Sequence, residues 1–455
     1  MSILHNIFFF IVAIGVLVTF HEFGHYWVAR KAGVKVLRFS VGFGRPLYTW
    51  RRNVDGDDIE YVIAAIPFGG YVKMLDEREG EVADQDRARA FNNQSVLKRS
   101  LIVFAGPAFN FILAVILYWV VFMLGSTVDR PLVGELDADT LAARSGFMAR
   151  DEILMVGDEE VHSWNMFRLA ILDKGLDGGD VDVTVRTIDG AELTRTLALG
   201  ETRLLKEEGD IFNYIGFKQW WPKLPAQIGG LIDDGAAASA GLQEGDIITQ
   251  VDGIAIDDWM ALVRMIREKA NRPMSFVVSR DGAEQTMIVV PQSREVEDQV
   301  QGYIGAYQYI PDEVRDQLIT HIEYSPVEAV NKAMIKTWDM STLTLRVLWK
   351  MVTGDASLSN ISGPITIATY AGVTASIGVV SFLSFLAVIS VSLGVLNLLP
   401  VPMLDGGHLM YYLIEVLKGS PVSEAFELRG QQVGIMLLAM LMSVAIFNDI
   451  QRLFQ

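Results

Sequence analysis

The chain has 455 residues, a mean hydropathy of +0.30 and 20% charged residues. That is too apolar for an ordinary soluble protein and too charged for a purely membranous one, so the composition must be segregated along the chain. A formal net charge of −17 argues against nucleic-acid binding, which needs Lys and Arg patches, and the lack of cysteine excludes disulfides, thiolate ligands and a Cys nucleophile.

The first element is an apolar run from Ile3 to about Val28, long enough to cross ~30 Å of hydrocarbon. It has no positive n-region and is too long for the h-region of a signal peptide, so it reads as a retained span. Within it, "GVLVTFHEFGHYWVARKAG" (Gly15 to Gly33) places His21, Glu22 and His25 at membrane depth. Ionisable groups there are costly unless paired, and they mark a functional site. The pattern is H-E-x-x-H. On a helix, His21 and His25 lie one above the other and can bind one metal ion, with Glu22 beside them as a base toward water. The alternative is a helix whose polar residues merely line a bundle interior.

Next, "GFGRPLYTWRRNVDGDDIEYVIAAIPFGGYVKML" holds strand-like stretches around Asp55-Gly56, flanked by Gly42, Gly44, Gly69 and Gly70. This reads as a β-hairpin whose apolar side enters or touches the bilayer. Non-helical backbone is tolerated there only when it is buried in protein or lines a wet cavity. A second span, Leu101 to Gly125, follows.

The region from about Thr127 to Pro311 is soluble in character and repeats internally. "SGFMARDEILMVGDEEVHSW" (Ser145 to Trp164) aligns with "AGLQEGDIITQVDGIAIDDW" (Ala240 to Trp259), pairing Gly146 with Gly241, Asp151 with Asp246, Ile153 with Ile248 and Trp164 with Trp259. At a spacing of roughly 95 residues each copy is large enough to be a domain, so this is a tandem pair. The copies differ at Arg150, where the second has glycine, and at Gly157-Asp158, which reverses the Asp-Gly order. Ser325 to Val352 is helical in pattern but interrupted by Lys332, Lys336, Arg346 and Lys350, as expected of an amphipathic helix on the outer membrane face.

A third span runs from about Ile377 to Leu399 and a fourth from about Val433 to Phe447. Seven basic residues from Arg30 to Arg52 follow the first span, Lys98 and Arg99 precede the second, and Lys418 and Arg429 lie between the third and fourth. Both short loops are therefore expected on the cytoplasmic side, and both termini and the repeat region outside. The first and third spans then run in the same direction.

A catalytic metal needs a third protein ligand and an open position. His5 lies a full span away, and His162 and His321 lie outside. "NLLPVPMLDGGH" (Asn397 to His408) delivers Asp405 to the depth of His21 and His25, with Pro400 and Pro402 breaking the helix and Gly406 allowing close backbone approach. His408 is the rival ligand, but it lies further toward the next loop.

Together these motifs resemble the site-2 protease family of zinc-dependent intramembrane metalloproteases. The resemblance rests on HExxH in the first span, "AGPAFNF" in the second, "NLLPVPMLDG" in the third and a repeat whose "GLxxGDxIxxVDG" pattern is similar to PDZ domains. It implies a polytopic α-helical membrane protein with about four transmembrane helices, a membrane-associated β-hairpin and an α+β tandem PDZ-like region. The segments would be 1–125 (first span, hairpin, second span), 127–220 and 221–311 (PDZ-like), 312–374 (amphipathic connector) and 375–455 (third and fourth spans).

By that resemblance His21, His25 and Asp405 hold Zn2+, Glu22 is the general base, Asn397 holds the substrate backbone, and Asn110 supports the site. The hairpin would offer an edge to which an unwound substrate adds as a strand. The implied substrates are transmembrane segments, above all of a single-pass anti-sigma factor already trimmed by another protease, with remnant signal peptides as a second class. The PDZ-like pair would filter substrates by size, or capture peptide C-termini. The implied setting is a bacterial inner membrane, with the site near the cytoplasmic side, contact with lipid and no nucleic-acid partner. The competing reading is a membrane-anchored PDZ scaffold without protease activity, which has no need for a carboxylate at Asp405.

Overall fold

The computed structural model describes residues 3–176, 179–199, 211–296 and 299–454. The chain divides into two compact units, one formed by Met1–Ser126 with Ile322–Asp449 and the other centred on Thr127–His321.

In the first unit four helices are long and apolar enough to cross a membrane: Ile3–Lys31, Val96–Leu124, Val379–Leu398 and Ala425–Arg452. They correspond to the four expected spans; the first, second and fourth extend beyond their apolar runs, and the third lies within its run. The last helix extends over Glu424–Phe454 because its polar ends, with Glu427 and Arg429 at one and Asn448 and Asp449 at the other, continue the same hydrogen-bonded ladder without a hydropathy signal. Ser95 starts the second span, its side chain accepting from the Lys98 N–H at 3.4 Å. Leu17, Leu113, Ala114, Leu386 and Val391 form the buried centre of this unit. Lipid tails are as apolar as these side chains, so the helices gain little from burial alone and associate through close packing at small residues. Gly24 accordingly backs onto the Ala105 carbonyl, and Gly394 onto the ring of Phe111.

The strands Val36–Val54 and Asp57–Met74 are joined at Asp55 (φ 54°) and Gly56 (φ 89°), the left-handed pair that a tight hairpin turn requires. The arrangement is more than a simple hairpin. Arg38 to Val41 lie beside Glu60 to Ile63 and also beside Gly70 to Lys73, so each long strand is folded into a small sheet. Gly42 (φ 92°), Gly44 (φ 82°) and Gly69 (φ 121°) make the bends.

Ser325 caps the helix Pro326–Val352, whose buried residues Ala329, Ala333 and Thr337 face the helical core. A further helix, Pro364–Ile377, was not anticipated. At ~1.5 Å per residue it is too short to span a bilayer, and its small apolar residues give no amphipathic stripe. The buried carboxylate of Asp449 accepts from the Gly363, Ile365 and Thr366 N–H groups at 2.9, 2.8 and 3.2 Å, capping this helix from the fourth span.

In the second unit the two copies of the repeat form two four-stranded sheets of the same strand order. The central strands are Glu152–Val156 and Asp180–Arg186 in the first, and Ile247–Val251 and Met274–Arg280 in the second. Each sheet packs against a helix that begins at the repeated tryptophan, Trp164–Gly175 and Trp259–Arg267. Ile153, Phe167 and Val183 centre one core, and Ile248, Leu262 and Phe276 the other. Asp151 and Asp246 are buried at equivalent turns. Each accepts a backbone N–H from three residues earlier, at 2.9 and 2.8 Å, and each is paired with an arginine, Arg195 or Arg280. A second repeated motif went unread in the sequence: "NYIGF" (Asn213 to Phe217) and "GYIGA" (Gly302 to Ala306), whose Gly216 and Gly305 have φ of 92° and 72°.

Candidate active site

The first span is continuous helix through His21 and His25, so their imidazoles share one face, with ring centroids 4.9 Å apart. Asp405 arrives from a different construction. The third span ends at Leu398, Pro400 and Pro402 carry the chain round a corner, and a new helix, Asp405–Lys418, starts at the acid itself. Gly406 packs against the carbonyls of Leu398 and Leu399, and Gly407 against Val401, so the corner is compact only because neither residue has a side chain. The helix so begun is tied to the second span by Arg99 and Glu415, 2.7 Å apart and both largely buried. A carboxylate in the first turn also meets the positive end of its own helix.

These elements bring three ligand atoms together. His21 Nε2 lies 3.2 Å from His25 Nε2, and Asp405 Oδ2 lies 3.2 and 3.5 Å from the two nitrogens. His5, bonded to the Gly372 carbonyl and Ser376, is not among them, and neither is His408. The groups outside this triangle decide what it can do. His25 Nδ1 is 2.9 Å from the Ile102 carbonyl, an acceptor that holds the proton on Nδ1 and leaves the Nε2 lone pair facing inward. His21 Nδ1 is 3.1 Å from Asn110 Nδ2, and Asn110 is fully buried, with the Ser390 hydroxyl donating to its backbone carbonyl at 2.7 Å. With His21 Nε2 given to a metal, Nδ1 carries the proton, and the Asn110 amide has to turn its unpartnered oxygen toward it in place of Nδ2 to accept. Asp405 Oδ2 is buried with no hydrogen-bond donor. The three atoms lie close enough to one another to share one metal ion. A triangle of these sides leaves room for an ion about 2 Å from each corner, the bond length of a small divalent metal to nitrogen or oxygen.

Glu22 is buried beside this cluster, within electrostatic reach of His21, His25 and Asp405. Its neighbour is a glycine of the folded hairpin: a methyl group on Gly70 would stand 2.8 Å from Glu22 Cγ, 2.9 Å from Val18 and 2.7 Å from the Ser40 carbonyl. Gly106 plays the same part for the imidazoles, since a methyl there would stand 2.5 Å from His25 Cε1 and 2.8 Å from His21 Cε1. Neither glycine was singled out as a site residue. The signal lay in "AGPAFNF" and "FGGYV", small residues in otherwise bulky segments, but which neighbour needs the space is a tertiary fact. Asn397 is half-buried in the last turn of the third span, and its side chain makes no hydrogen bond among the described residues.

A helix bundle that brings two histidines and a buried glutamate of its first span to one point with a carboxylate that follows its third span defines an intramembrane metalloprotease. The model of peptidase family M50 matches residues 9–441, and the chain belongs to that family, the site-2 proteases. It is 41% identical to the regulator of sigma-E protease RseP of Escherichia coli over 459 residues. The regulator of sigma E protease of Salmonella typhi and the protease RseP of Yersinia pestis are also 41% identical, and all three alignments cover the whole of both chains. Family membership removes the scaffold reading.

Proposed function

We propose that the chain is a zinc-dependent endopeptidase that cuts transmembrane segments of single-pass membrane proteins, with His21, His25 and Asp405 as zinc ligands and Glu22 as general base. The observation that carries this reading is the convergence of the three ligand atoms around one point beside a buried glutamate. Zinc, when bound, supplies the Lewis acid that polarises the scissile carbonyl and eases deprotonation of the attacking water. Glu22 takes the proton of that water and later delivers it to the leaving amine. The Ile102 carbonyl holds His25 in the tautomer that keeps its Nε2 free, and Asn110 does the same for His21 once its amide oxygen is turned toward Nδ1. A transmembrane helix hides its amides and must unwind to be cut. The folded hairpin offers strand edges to pair the freed groups, and Asn397 binds the same stretch of backbone.

The two repeats act as PDZ-like domains, 127–220 and 221–311, that exclude substrates with a bulky outer domain and admit those already trimmed. The substrate is an anti-sigma factor, with remnant signal peptides as a second class. The similarity to proteins named for sigma-E regulation supports the first, and the fold of the second unit supports a role outside the bilayer. The basic residues beside the spans support a bacterial inner-membrane orientation with the repeats and both termini periplasmic.

The test uses purified full-length protein, assayed for bound zinc and for cleavage of a model transmembrane peptide. Glu22→Gln is expected to keep zinc and lose cleavage, and Asp405→Ala to lose both. Cleavage by Glu22→Gln at the wild-type rate removes the role given to Glu22, and full zinc in Asp405→Ala removes the ligand set.

A further inference from the structure

We propose that the first repeat carries a binding site for a phosphate group, built around Arg150. The turn before Asp151 demands a residue in the left-handed region. The second copy meets that demand with Gly245 at φ 92°, whereas Arg150 adopts φ 70°. A side chain is strained there and glycine is not, and such strain persists where the side chain has a task. The guanidinium of Arg150 lies 4.9 Å from the centroid of the Trp220 ring, the geometry of a cation–π contact. Among the described residues no carboxylate pairs with it.

Arg150 and Trp220 border a cavity of about 310 Å3 that is also lined by Arg130, Arg186, Glu152 and Ile188. Glu152 already occupies the gap between two of these arginines, 2.7 Å from Arg130 Nη2 and 3.3 Å from Arg186 Nη1. Glu192 meets Arg186 as well, at 3.0 Å. The place for a planar carboxylate between Arg130 and Arg186 is therefore taken. An anion bound there has to engage Arg150 while also reaching the remaining N–H groups of Arg130 and Arg186. A tetrahedral phosphate has three acceptor oxygens and up to two charges and can bridge separate guanidinium groups, whereas a carboxylate serves one fork in one plane. The volume is at the small end for ligand sites and suits a phosphate or a headgroup, not a folded partner. The fold does not require this cluster: the second copy has Gly245 in place of Arg150 and Ile247 in place of Glu152. The site lies in the second unit and does not depend on the protease reading.

Free phosphate and a phospholipid headgroup offer the same chemistry. Full-length protein in an uncharged detergent is titrated calorimetrically with inorganic phosphate, with the soluble short-chain lipid dihexanoyl phosphatidic acid, and with acetate. Wild type is expected to bind a phosphate compound and not acetate, and Arg150→Gly to bind it at least tenfold more weakly with an unchanged or raised melting temperature, because glycine suits the turn. Lipid bound tenfold tighter than inorganic phosphate assigns a headgroup, and equal affinities assign the free anion. Absence of binding by wild type, equal binding by Arg150→Gly, or acetate bound as well as phosphate overturns the proposal. So does loss of binding accompanied by a fall in melting temperature, which would make Arg150 a structural stack on Trp220.

Discussion

Replacing Gly106 with alanine adds one methyl group directly behind the paired imidazoles. That methyl would stand 2.5 Å from His25 Cε1 and 2.8 Å from His21 Cε1, against an ordinary carbon–carbon contact of about 3.5–4.0 Å. Relief requires a displacement of roughly 1 Å, and the imidazoles have little freedom to give it. His25 is held by the Ile102 carbonyl and His21 by Asn110, while Gly106 itself lies within the continuous helix Val96–Leu124. Metal coordination tolerates shifts of about 0.2 Å, so a displacement several times larger separates the ligand atoms beyond shared coordination. Gly106→Ala is therefore expected to fold, to lose most of its zinc, and to lose cleavage in proportion. Metal content by plasma mass spectrometry, beside a melting curve in the same detergent, measures it. A folded Gly106→Ala protein with one zinc per chain and wild-type cleavage would refute the packing argument.

Gly70→Ala makes the contrasting case, because its methyl meets Glu22 Cγ and the Ser40 carbonyl and not the ligands. Zinc content should stay at the wild-type level while kcat falls about 100-fold, the cost of roughly 1 Å of misplacement, and KM changes little; unchanged kcat would release Glu22 from this contact. Deleting 127–311 should allow an untrimmed substrate with an intact outer domain to be cut, as read by gel, and an unchanged substrate range would count against a filter. In the second repeat burial pushes the Asp246 carboxyl up, but the Arg280 guanidinium and the Gln243 N–H outweigh it and hold the group below the usual carboxylate range. Its folded pKa is thus lower than its unfolded one, so the stability it contributes is present above the unfolded value of about 4 and is lost as pH falls through the folded value. Arg280→Ala removes the partner that holds the Asp246 carboxyl down and should move the acid transition to higher pH. Hydrogen exchange of peptides from 240–290 reads both effects, and an unmoved transition would discount the pair.

What could be read in advance was whatever a local pattern encodes. Three apolar runs of membrane length, together with the shorter run from about Val433 to Phe447, marked the spans, i and i+4 spacing placed His21 and His25 on one face, and the Asp-Gly pair marked the turn at Asp55. Asp405 was reachable because two spans running in one direction deliver their ends to one depth. The helix Pro364–Ile377 was hidden because its small residues carry no period and its cap, Asp449, lies far along the chain. The folding of the hairpin into a sheet was hidden for a similar reason: Gly42, Gly44 and Gly69 announce bends, but not which segments the bends bring together. The repeated "YIG" of the second unit lies outside the better-matched stretch between Ser145 and Trp164, too short a pattern to mark a repeat by itself.

The three proposed zinc ligands differ in how firmly the fold holds them, and that difference has a measurable consequence. His21 and His25 sit on an unbroken helix backed by Gly106 and bonded through both Nδ1 atoms, whereas Asp405 depends on a corner of irregular backbone that includes Met403 at φ 93°. When zinc is stripped, His21, His25 and Asp405 lose the ion that ties them together, and the element with the fewest hydrogen bonds loosens first. The corner 399–404 has two backbone bonds of its own, Val401 N–H to Leu399 and Leu404 N–H to Val401, at 2.7 and 3.1 Å. Chelated protein should therefore exchange amide hydrogens faster than zinc-loaded protein at 399–408, by about tenfold or more, while the first span around His21 exchanges alike in both. Equal protection at 399–408 in the two states would show that the corner is rigid without metal, and faster exchange along the first span would place the compliant ligands on the wrong helix.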